Sequence, residues 1–253
     1  MQNPSPPTPL PRKGRGEQKP IQCSGLTILG TDTEVGKTYV ACRIIESLVR
    51  QGVAVGAYKP VASGAPTVEQ SDGFLLWRAS GHRGTLDQVN PQRFLAPLAP
   101  PLAAEKEGKL VSEQLIVDGA RDWFHRCEFL IIEGAGGLMS PISWGMTNAD
   151  LAREIQFPIG LVSENRLGVV NQVLTTLTAA HSLGLHVCCV ILNALRAGEE
   201  DLQETNERLL RCFIEREPNP PLIVRLARRS SEFGPQVDWQ KLCRVGSSPD
   251  KLT

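Results

Sequence analysis

Short runs of apolar residues alternate with longer amphipathic segments along most of the chain. The apolar runs predict strands at 26–29, 53–58, 129–132, 159–162 and 187–192. Segments with the apolar spacing of a helix are 36–50, 112–126, 168–183 and 201–214, and Ser112 is suited to cap the second of them. Continuous apolar strands between helices are typical of a parallel sheet covered on both faces. The pattern therefore predicts an α/β fold with a mostly parallel sheet.

No internal repeat or Gly/Ser linker divides the sequence, so we expect a single α/β domain over residues 22–253. The first twenty residues hold six prolines and four basic residues against one acid. Because so little apolar surface does not offset the entropy of ordering, we expect residues 1–21 to form a disordered tail, with a targeting or docking role as the alternative. Residues 84–110 are proline-rich and predict an irregular, functional loop. The last ~20 residues show no clear element.

Composition excludes several classes of partner. Lys plus Arg balances Asp plus Glu at 27 each, which gives no electrostatic reason to expect nucleic acid or an anionic membrane. No apolar run approaches the ~20 residues that span a bilayer. The seven cysteines are scattered, odd in number and without a CxxC pair, which favours a reducing cytoplasm over a disulfide framework or a zinc site.

Candidate chemistry begins at residues 30–38, which read GTDTEVGKT between a predicted strand and a predicted helix. This is the setting of a phosphate-binding loop, because backbone N–H groups and the helix dipole favour an anion there. Gly36 lets the backbone approach phosphates, Lys37 supplies a charge at the β- and γ-phosphates, and the Thr38 hydroxyl is suited to Mg²⁺. The strict pattern requires glycine where this chain has Thr31, with Gly30 one position earlier.

Four segments in register resemble dethiobiotin synthetases. Besides the phosphate loop, they are YKPVASG at 58–64, EGAGG at 133–137 and LGVVN at 167–171. The resemblance covers about residues 26–195 and implies a P-loop NTPase-like fold. It also implies a reaction in which 7,8-diaminopelargonic acid, CO₂ and MgATP give dethiobiotin, ADP and phosphate. The diamine would take up CO₂ as a carbamate, ATP would phosphorylate the carbamate, and the second amine would close the ring.

The resemblance assigns roles that the residues themselves also suit. Lys59 follows the second strand and would stabilise the carbamate and the transferring phosphoryl group, whereas without the motif it would be read as a solvated surface lysine. Glu133 ends an apolar run and would serve Mg²⁺. Asp72 would be a second metal ligand, its alternative being a cap at a helix start. Ser63 would bond the diamine or carbamate, although alone it resembles a turn serine.

Further residues complete the expected nucleotide and substrate sites. Within the loop, Thr33 and Val35 would contact ATP, as would Glu34, which could instead be merely exposed. Asn193 follows the strand at 187–192 and matches the adenine-binding asparagine of the family, with an amide that offers one donor and one acceptor to the base.

The resemblance also implies a homodimer with a shared site. Gly168 and Asn171 open a helix that, in the family, holds the substrate's carboxylate tail in the neighbouring subunit; a tight turn is the simpler role for Gly168.

Two departures from the family pattern bear on specificity. Residues 223–227 read IVRLA where the family has a Gly-x-Ile-Pro stretch near the adenine, so nucleotide preference stays open. Residues 163–166 read SENR and are more polar than expected beside the substrate tail. The four histidines show no metal spacing.

Two other functions share the phosphate loop. One is a related P-loop amidoligase or cobyrinate-type ATPase with a different acceptor, because fold does not fix substrate. The other is a partition-type nucleotide-switch ATPase, a class with an additional lysine early in the loop where this chain has Asp32. The resemblance in residues 58–64 argues against the first alternative, and the missing lysine argues against the second.

Overall fold

The computed structural model describes residues 23–244. The predicted tail at 1–21 lies outside the described residues, as do the last nine residues of the chain. The described strands are β1 (Ser24–Gly30), β2 (Val55–Tyr58), β3 (Val61–Ser63), β4 (Gln92–Phe94), β5 (Phe129–Gly137), β6 (Ile159–Glu164), β7 (Val187–Asn193), β8 (Leu222–Leu226) and β9 (Phe233–Gly234). The helices are α1 (Lys37–Arg50), α2 (Asp72–Ala79), α3 (Leu86–Val89), α4 (Pro100–Lys106), α5 (Glu113–Arg121), α6 (Asn148–Ile155), α7 (Val169–Ser182), α8 (Glu200–Ile214) and α9 (Trp239–Arg244).

A seven-stranded sheet organises these elements in the order β2-β5-β1-β6-β7-β8-β9. Every pairing in it is parallel except that of β8 with β9. A separate parallel pair, β3 with β4, lies beyond the end of β2. The predicted class, a mostly parallel α/β sheet, is confirmed.

Successive residues of the central strands enter two different cores. In β1, Ile28 belongs to the core around α1, whereas Leu29 belongs to the core around α7. In β7, Ile191 and Leu192 divide in the same way. Since neighbouring side chains of a strand point to opposite faces, both faces of the sheet are covered by helices.

Several boundaries differ from the sequence prediction. Residues 84–110 are not irregular throughout, because a Thr85 capping box starts α3, β4 pairs with β3, and Pro100–Pro101 open α4. The helix predicted at 112–126 is capped by Ser112, whose hydroxyl accepts from Leu115 N at 3.2 Å, but its α-helical part ends at Arg121. A 3₁₀ turn then covers Asp122–His125. Residues Trp239–Arg244 form a short helix that the pattern did not predict.

The carboxyl ends of β1, β2, β5, β6 and β7 meet at one edge of the sheet, because these strands are all parallel. The phosphate loop, Lys59 and Asn193 each stand at or just beyond such an end, whereas Glu133 lies within β5, one residue past the partner of Tyr58 at the end of β2. Of the helices in the described part of the chain, none is long and apolar enough to cross a membrane.

Candidate active site

The phosphate loop joins β1 to α1 through a glycine that no other residue replaces without strain. Gly36 is the N-cap of α1 and has φ 85°, in the left-handed region. A Cβ on Gly36 would stand 2.2 Å from Nδ2 of Asn193. That amide donates to the Val35 carbonyl at 3.0 Å. Asn193, at the end of β7, therefore supports the loop from below, an arrangement that sequence spacing does not reveal.

Thr31, the departure from the strict motif, is tied to the neighbouring strand. Its hydroxyl is 2.8 Å from the Ser163 hydroxyl, and its N–H donates to the Val162 carbonyl at 2.9 Å. A glycine at position 31 would keep the backbone bond to Val162 and lose the bond to the Ser163 hydroxyl. Two departures from the sequence patterns, Thr31 and the polar Ser163, are thus hydrogen-bonded to each other.

Lys37 points back into the loop that precedes it. Its Nζ donates to the Asp32 carbonyl at 3.0 Å, and the residue is only 7% exposed. Burial and the nearby charge of Lys59 lower the pKa of Lys37 to about 8. A lysine in this state gains its full charge when an anion enters the loop.

Lys59 is buried, contrary to the alternative of a solvated surface lysine. Tyr58 and Ile132 are partners in the parallel ladder, so the next residues along the two strands, Lys59 and Glu133, lie side by side. Lys59 Nζ is 2.5 Å from Glu133 Oε1 and 2.9 Å from Asp72 Oδ2. Burial would lower the pKa of Lys59, but these two carboxylates outweigh it and raise the pKa above its usual range. Lys59 is therefore a fixed, permanent cation.

Thr38 completes a compact group that we call the Lys59 cluster: Thr38, Lys59, Asp72 and Glu133. The Thr38 hydroxyl is 2.8 Å from both Asp72 Oδ1 and Glu133 Oε1. Asp72 reaches it from the first turn of α2, where Ser71, not Asp72, is the cap. The capping alternative for Asp72 is therefore wrong in this structure.

The carboxylates of the Lys59 cluster differ in their electrostatics. The positive charge of Lys59 holds the pKa of Asp72 below its usual value. Burial raises the pKa of Glu133, which is fully buried, although Lys59 opposes that effect. Within residues 23–244, Oε2 of Glu133 is a buried oxygen without a hydrogen-bond partner. Two carboxylates, one of them with a free oxygen, and a hydroxyl form a donor set that suits a hard divalent cation.

Asn148 is a residue of this edge that the sequence reasoning missed. It is fully buried, and its Nδ2 donates to Ala135 O at 2.8 Å and to Gly137 O at 2.7 Å. These bonds hold the last residues of β5 after Glu133, where the strand departs from its register with β1. No spacing rule singles out an asparagine in the first turn of a helix, so only the tertiary structure reveals it.

The remaining predicted residues are not part of the Lys59 cluster. Thr33 and Glu34 are exposed at the tip of the loop, and Glu34 has φ 58°. The Ser63 hydroxyl donates to the Leu98 carbonyl at 2.7 Å. Among the described residues, no hydrogen bond or ion pair links Gly168 or Asn171 to the Lys59 cluster. Both are exposed at the start of α7, where Gly168 has φ 93°.

Comparisons with known proteins match this chain to one family model and to curated relatives that share one description. A family model described as an AAA domain matches residues 24–220. An ATP-dependent dethiobiotin synthetase BioD of Rhodopirellula baltica is 40% identical over 219 residues, which is 78% of this chain and 86% of the relative. The protein of the same description from Anaeromyxobacter sp. (strain K) is 40% identical over 214 residues, covering 83% of this chain and 95% of its own length.

A solved structure supports the fold alone. The chloroplast FtsY of Physcomitrella patens superposes with a TM-score of 0.50 at 15% identity. The match covers 92% of this chain and 67% of that one.

Proposed function

The chain belongs to the family of ATP-dependent dethiobiotin synthetases, and from that membership we propose that it carboxylates 7,8-diaminopelargonic acid and closes it to dethiobiotin at the expense of ATP. The observation that supports this most is the buried Lys59. It places a permanent cation next to the phosphate loop, at the sheet edge where the γ-phosphate of a nucleotide held by that loop would lie.

The reaction needs positioning and charge stabilisation more than covalent help from the protein. One amine adds to CO₂ and loses a proton, which gives a carbamate. A carbamate oxygen attacks the γ-phosphorus, the bond to the β-phosphate oxygen breaks, and ADP leaves. The second amine then attacks the carbamoyl carbon, phosphate departs, and the urea ring closes with loss of the amine proton.

Each lysine of the site has its own part in that sequence. Lys37, in the loop, would pair with the β- and γ-phosphates. Lys59 would face the carbamate and the transferring phosphoryl group, whose negative charge both spreads and moves in the transition state. Ser63 would hydrogen-bond the diamine or carbamate, and exchange its bond to the Leu98 carbonyl for that contact.

Magnesium is the cofactor that we propose for this site, held by Thr38, Asp72 and Glu133. Bound there with ATP, the ion would neutralise phosphate charge. The chain already holds the Thr38 hydroxyl 2.8 Å from one oxygen of Asp72 and 2.8 Å from one oxygen of Glu133. Oε2 of Glu133 is buried and has no hydrogen-bond partner among the described residues. Without the ion, Lys59 pairs with both carboxylates and offsets part of their negative charge.

The contact of Asn193 with adenine stays a prediction, and the bond that its side chain already makes limits which atoms it can offer to the base. One amide hydrogen is already donated to the Val35 carbonyl, which leaves one hydrogen and the carbonyl oxygen for a base. The IVRLA segment that departs from the family lies mainly in β8 and pairs with β7 beside Asn193. The roles of Thr33, Glu34 and Val35 around the phosphates stay predictions as well.

ATP turnover with and without its co-substrates tests the proposal. We expect ADP formation to require both the diamine and bicarbonate, with dethiobiotin as the product. A switch ATPase would turn over ATP without either compound, and an amidoligase with another acceptor would ignore the diamine. Turnover that is independent of the diamine would therefore overturn the proposed function. A cytoplasmic location also stays a prediction.

The pKa of Lys37 leads to a pH prediction. Because free Lys37 loses its proton near pH 8 and bound phosphates favour the charged form, ATP binding above that pH has to take up a proton. Affinity for ATP should fall as pH rises above 8, by up to about tenfold per pH unit. Titration calorimetry between pH 7 and 9.5 measures it. In Lys37→Met the affinity should be weak and independent of pH, and a wild-type protein with a flat profile would contradict the assignment.

A homodimer with a shared substrate site is the final part of the proposal. Gly168 and Asn171 lie exposed at the N-terminus of α7, beside Leu167, which is 78% exposed. No hydrogen bond or ion pair among the described residues links this surface to the chain's own Lys59 cluster, which is consistent with its serving the site of a second copy. The N-terminus of the helix suits the substrate's carboxylate tail.

Replacing Asn171 by alanine tests the shared site. We expect the diamine KM to rise about tenfold, as for the loss of one hydrogen bond to a charged group, with the ATP KM unchanged. Thr178→Ala, an exposed change farther along the same helix, should alter neither constant. Sedimentation velocity should show a dimer. An active monomer, or an Asn171→Ala protein with an unaltered diamine KM, would count against the shared site.

A further inference from the structure

Asn90 is a fully buried asparagine that contacts the backbone of Lys59. It lies between α3 and β4, and its Nδ2 donates to the Lys59 carbonyl at 2.6 Å. The preceding residue, Val89, accepts the N–H of Lys59 through its carbonyl at 2.7 Å. The N–H and the carbonyl of Lys59 are thus bonded by two consecutive residues, Val89 and Asn90. Lys59 stands beyond the end of β2, where no sheet partner would otherwise fix it.

The opposite side of Asn90 packs against the helix that carries Asp72. A Cβ added to Gly73 would stand 2.4 Å from Asn90 Cβ and 2.7 Å from its Oδ1. Gly73 directly follows Asp72 in the first turn of α2. Asn90 therefore touches the two backbone segments that bear Lys59 and Asp72, the partners of a 2.9 Å ion pair.

Packing alone does not explain an amide at this position. Oδ1 of Asn90 is a buried oxygen with no hydrogen-bond partner among residues 23–244, which is unfavourable for folding. An apolar side chain of similar size would avoid that cost and still fill the space. What it would lose is the 2.6 Å bond to the Lys59 carbonyl, together with a longer bond, at 3.4 Å, from Nδ2 to the Gln92 carbonyl.

We propose that Asn90 is a positioning residue, which sets the distance between Lys59 and Asp72 and so places the Lys59 ammonium for phosphoryl transfer. The inference rests on the proposed function, because it uses the role of Lys59 in that reaction. Asn90 acts through the backbone of Lys59 and touches neither ATP nor the diamine.

The experiment is a double-mutant cycle on kcat with Asn90→Ala and Lys59→Ala. Asn90→Ala alone should lower kcat by roughly ten- to a hundredfold, as for a small displacement of a catalytic group, with the KM for ATP nearly unchanged. In the Lys59→Ala background the same change should have almost no further effect, because there is no ammonium left to place. Equal effects of Asn90→Ala in both backgrounds would show a merely structural role and overturn the inference.

Two further variants keep the test decisive if Asn90→Ala is unstable. Gly73→Ala pushes on Asn90 from the other side and should lower kcat with the same dependence on Lys59. Val117→Ala, a core change in α5, should lower the melting temperature and leave kcat as it is. If Val117→Ala lowers kcat as much as Asn90→Ala at a similar loss of stability, general loosening explains the effect and the inference fails.

The activity of the wild-type protein distinguishes a failure of this inference from a failure of the proposed function. A wild-type protein without dethiobiotin formation contradicts the proposed function. An active wild type whose Asn90→Ala variant has normal kcat contradicts only the role of Asn90.

Discussion

Lys59→Ala should lower the turnover number by about 10²–10³-fold and keep most of the affinity for ATP. The loss follows from removing a buried cation that contacts both carboxylates of the site. ATP affinity is expected to persist because Lys37 and the backbone of the loop remain. Initial rates of dethiobiotin formation and nucleotide binding by calorimetry measure the two effects separately. Lys37→Ala should instead impair binding and turnover together.

The unfolding free energy of the Lys59 variants has to be measured as well, because Lys59 also pairs with the buried carboxylate of Glu133. Removing one partner of a buried ion pair commonly costs about 3–5 kcal/mol of unfolding free energy. Lys59→Arg keeps the charge and should stay folded, but a planar guanidinium does not reproduce contacts of 2.5, 2.9 and 3.3 Å around one ammonium nitrogen, so activity should return only in part. Lys109→Ala, at an exposed lysine paired with Glu107, serves as the control and should keep its rate. A folded Lys59→Ala protein with near-normal turnover would contradict the catalytic assignment.

Much of the fold was predictable because its strands are buried on both faces. Continuous apolar runs such as 129–132 carry that signal, and all five predicted strands are present. The pattern failed where local chemistry, not periodicity, decides the structure. The strand β5 continues through Glu133 to Gly137, a polar and glycine-rich stretch, since Asn148 and the neighbouring β1 satisfy its backbone. The short elements within 84–110 depend on a capping box and a strand pairing across the loop.

The pairing of Lys59 with Glu133 could be anticipated only in part. Both residues follow apolar runs in the sequence, which predicts that they lie toward the same sheet edge. Their 2.5 Å contact needs β2 and β5 to be neighbours, a fact of strand order that single-strand patterns do not contain. Asn90 illustrates the limit further. It stands in an irregular segment with no motif, and only tertiary packing brings it to the Lys59 carbonyl.

Glu133→Gln is expected to lower turnover by about 10²–10³ and to raise the Mg²⁺ concentration needed for half-maximal rate. The substitution keeps the shape of the side chain but removes the charge that faces Lys59 and Thr38. Folding should suffer much less than activity. Burial already disfavours the Glu133 carboxylate, as its raised pKa shows, and Lys59 keeps Asp72 as a partner. Rates over a Mg²⁺ titration, with thermal unfolding of the metal-free protein, separate these effects.

Glu128 provides the matched control at the other end of β5. Its carboxylate is exposed and accepts the Ala54 N–H at 2.8 Å, so Glu128→Gln makes the same chemical change far from the Lys59 cluster. That variant should keep both its rate and its Mg²⁺ dependence. Should Glu133→Gln lose turnover with an unchanged Mg²⁺ requirement, the carboxylate acts by holding Lys59 alone and the metal assignment fails. Should it unfold without metal while Glu128→Gln stays folded, the ion pair with Lys59 stabilises the fold more than burial of Glu133 costs. Because Oε2 of Glu133 has no partner among the described residues, we expect the first readout, the metal dependence, to change most.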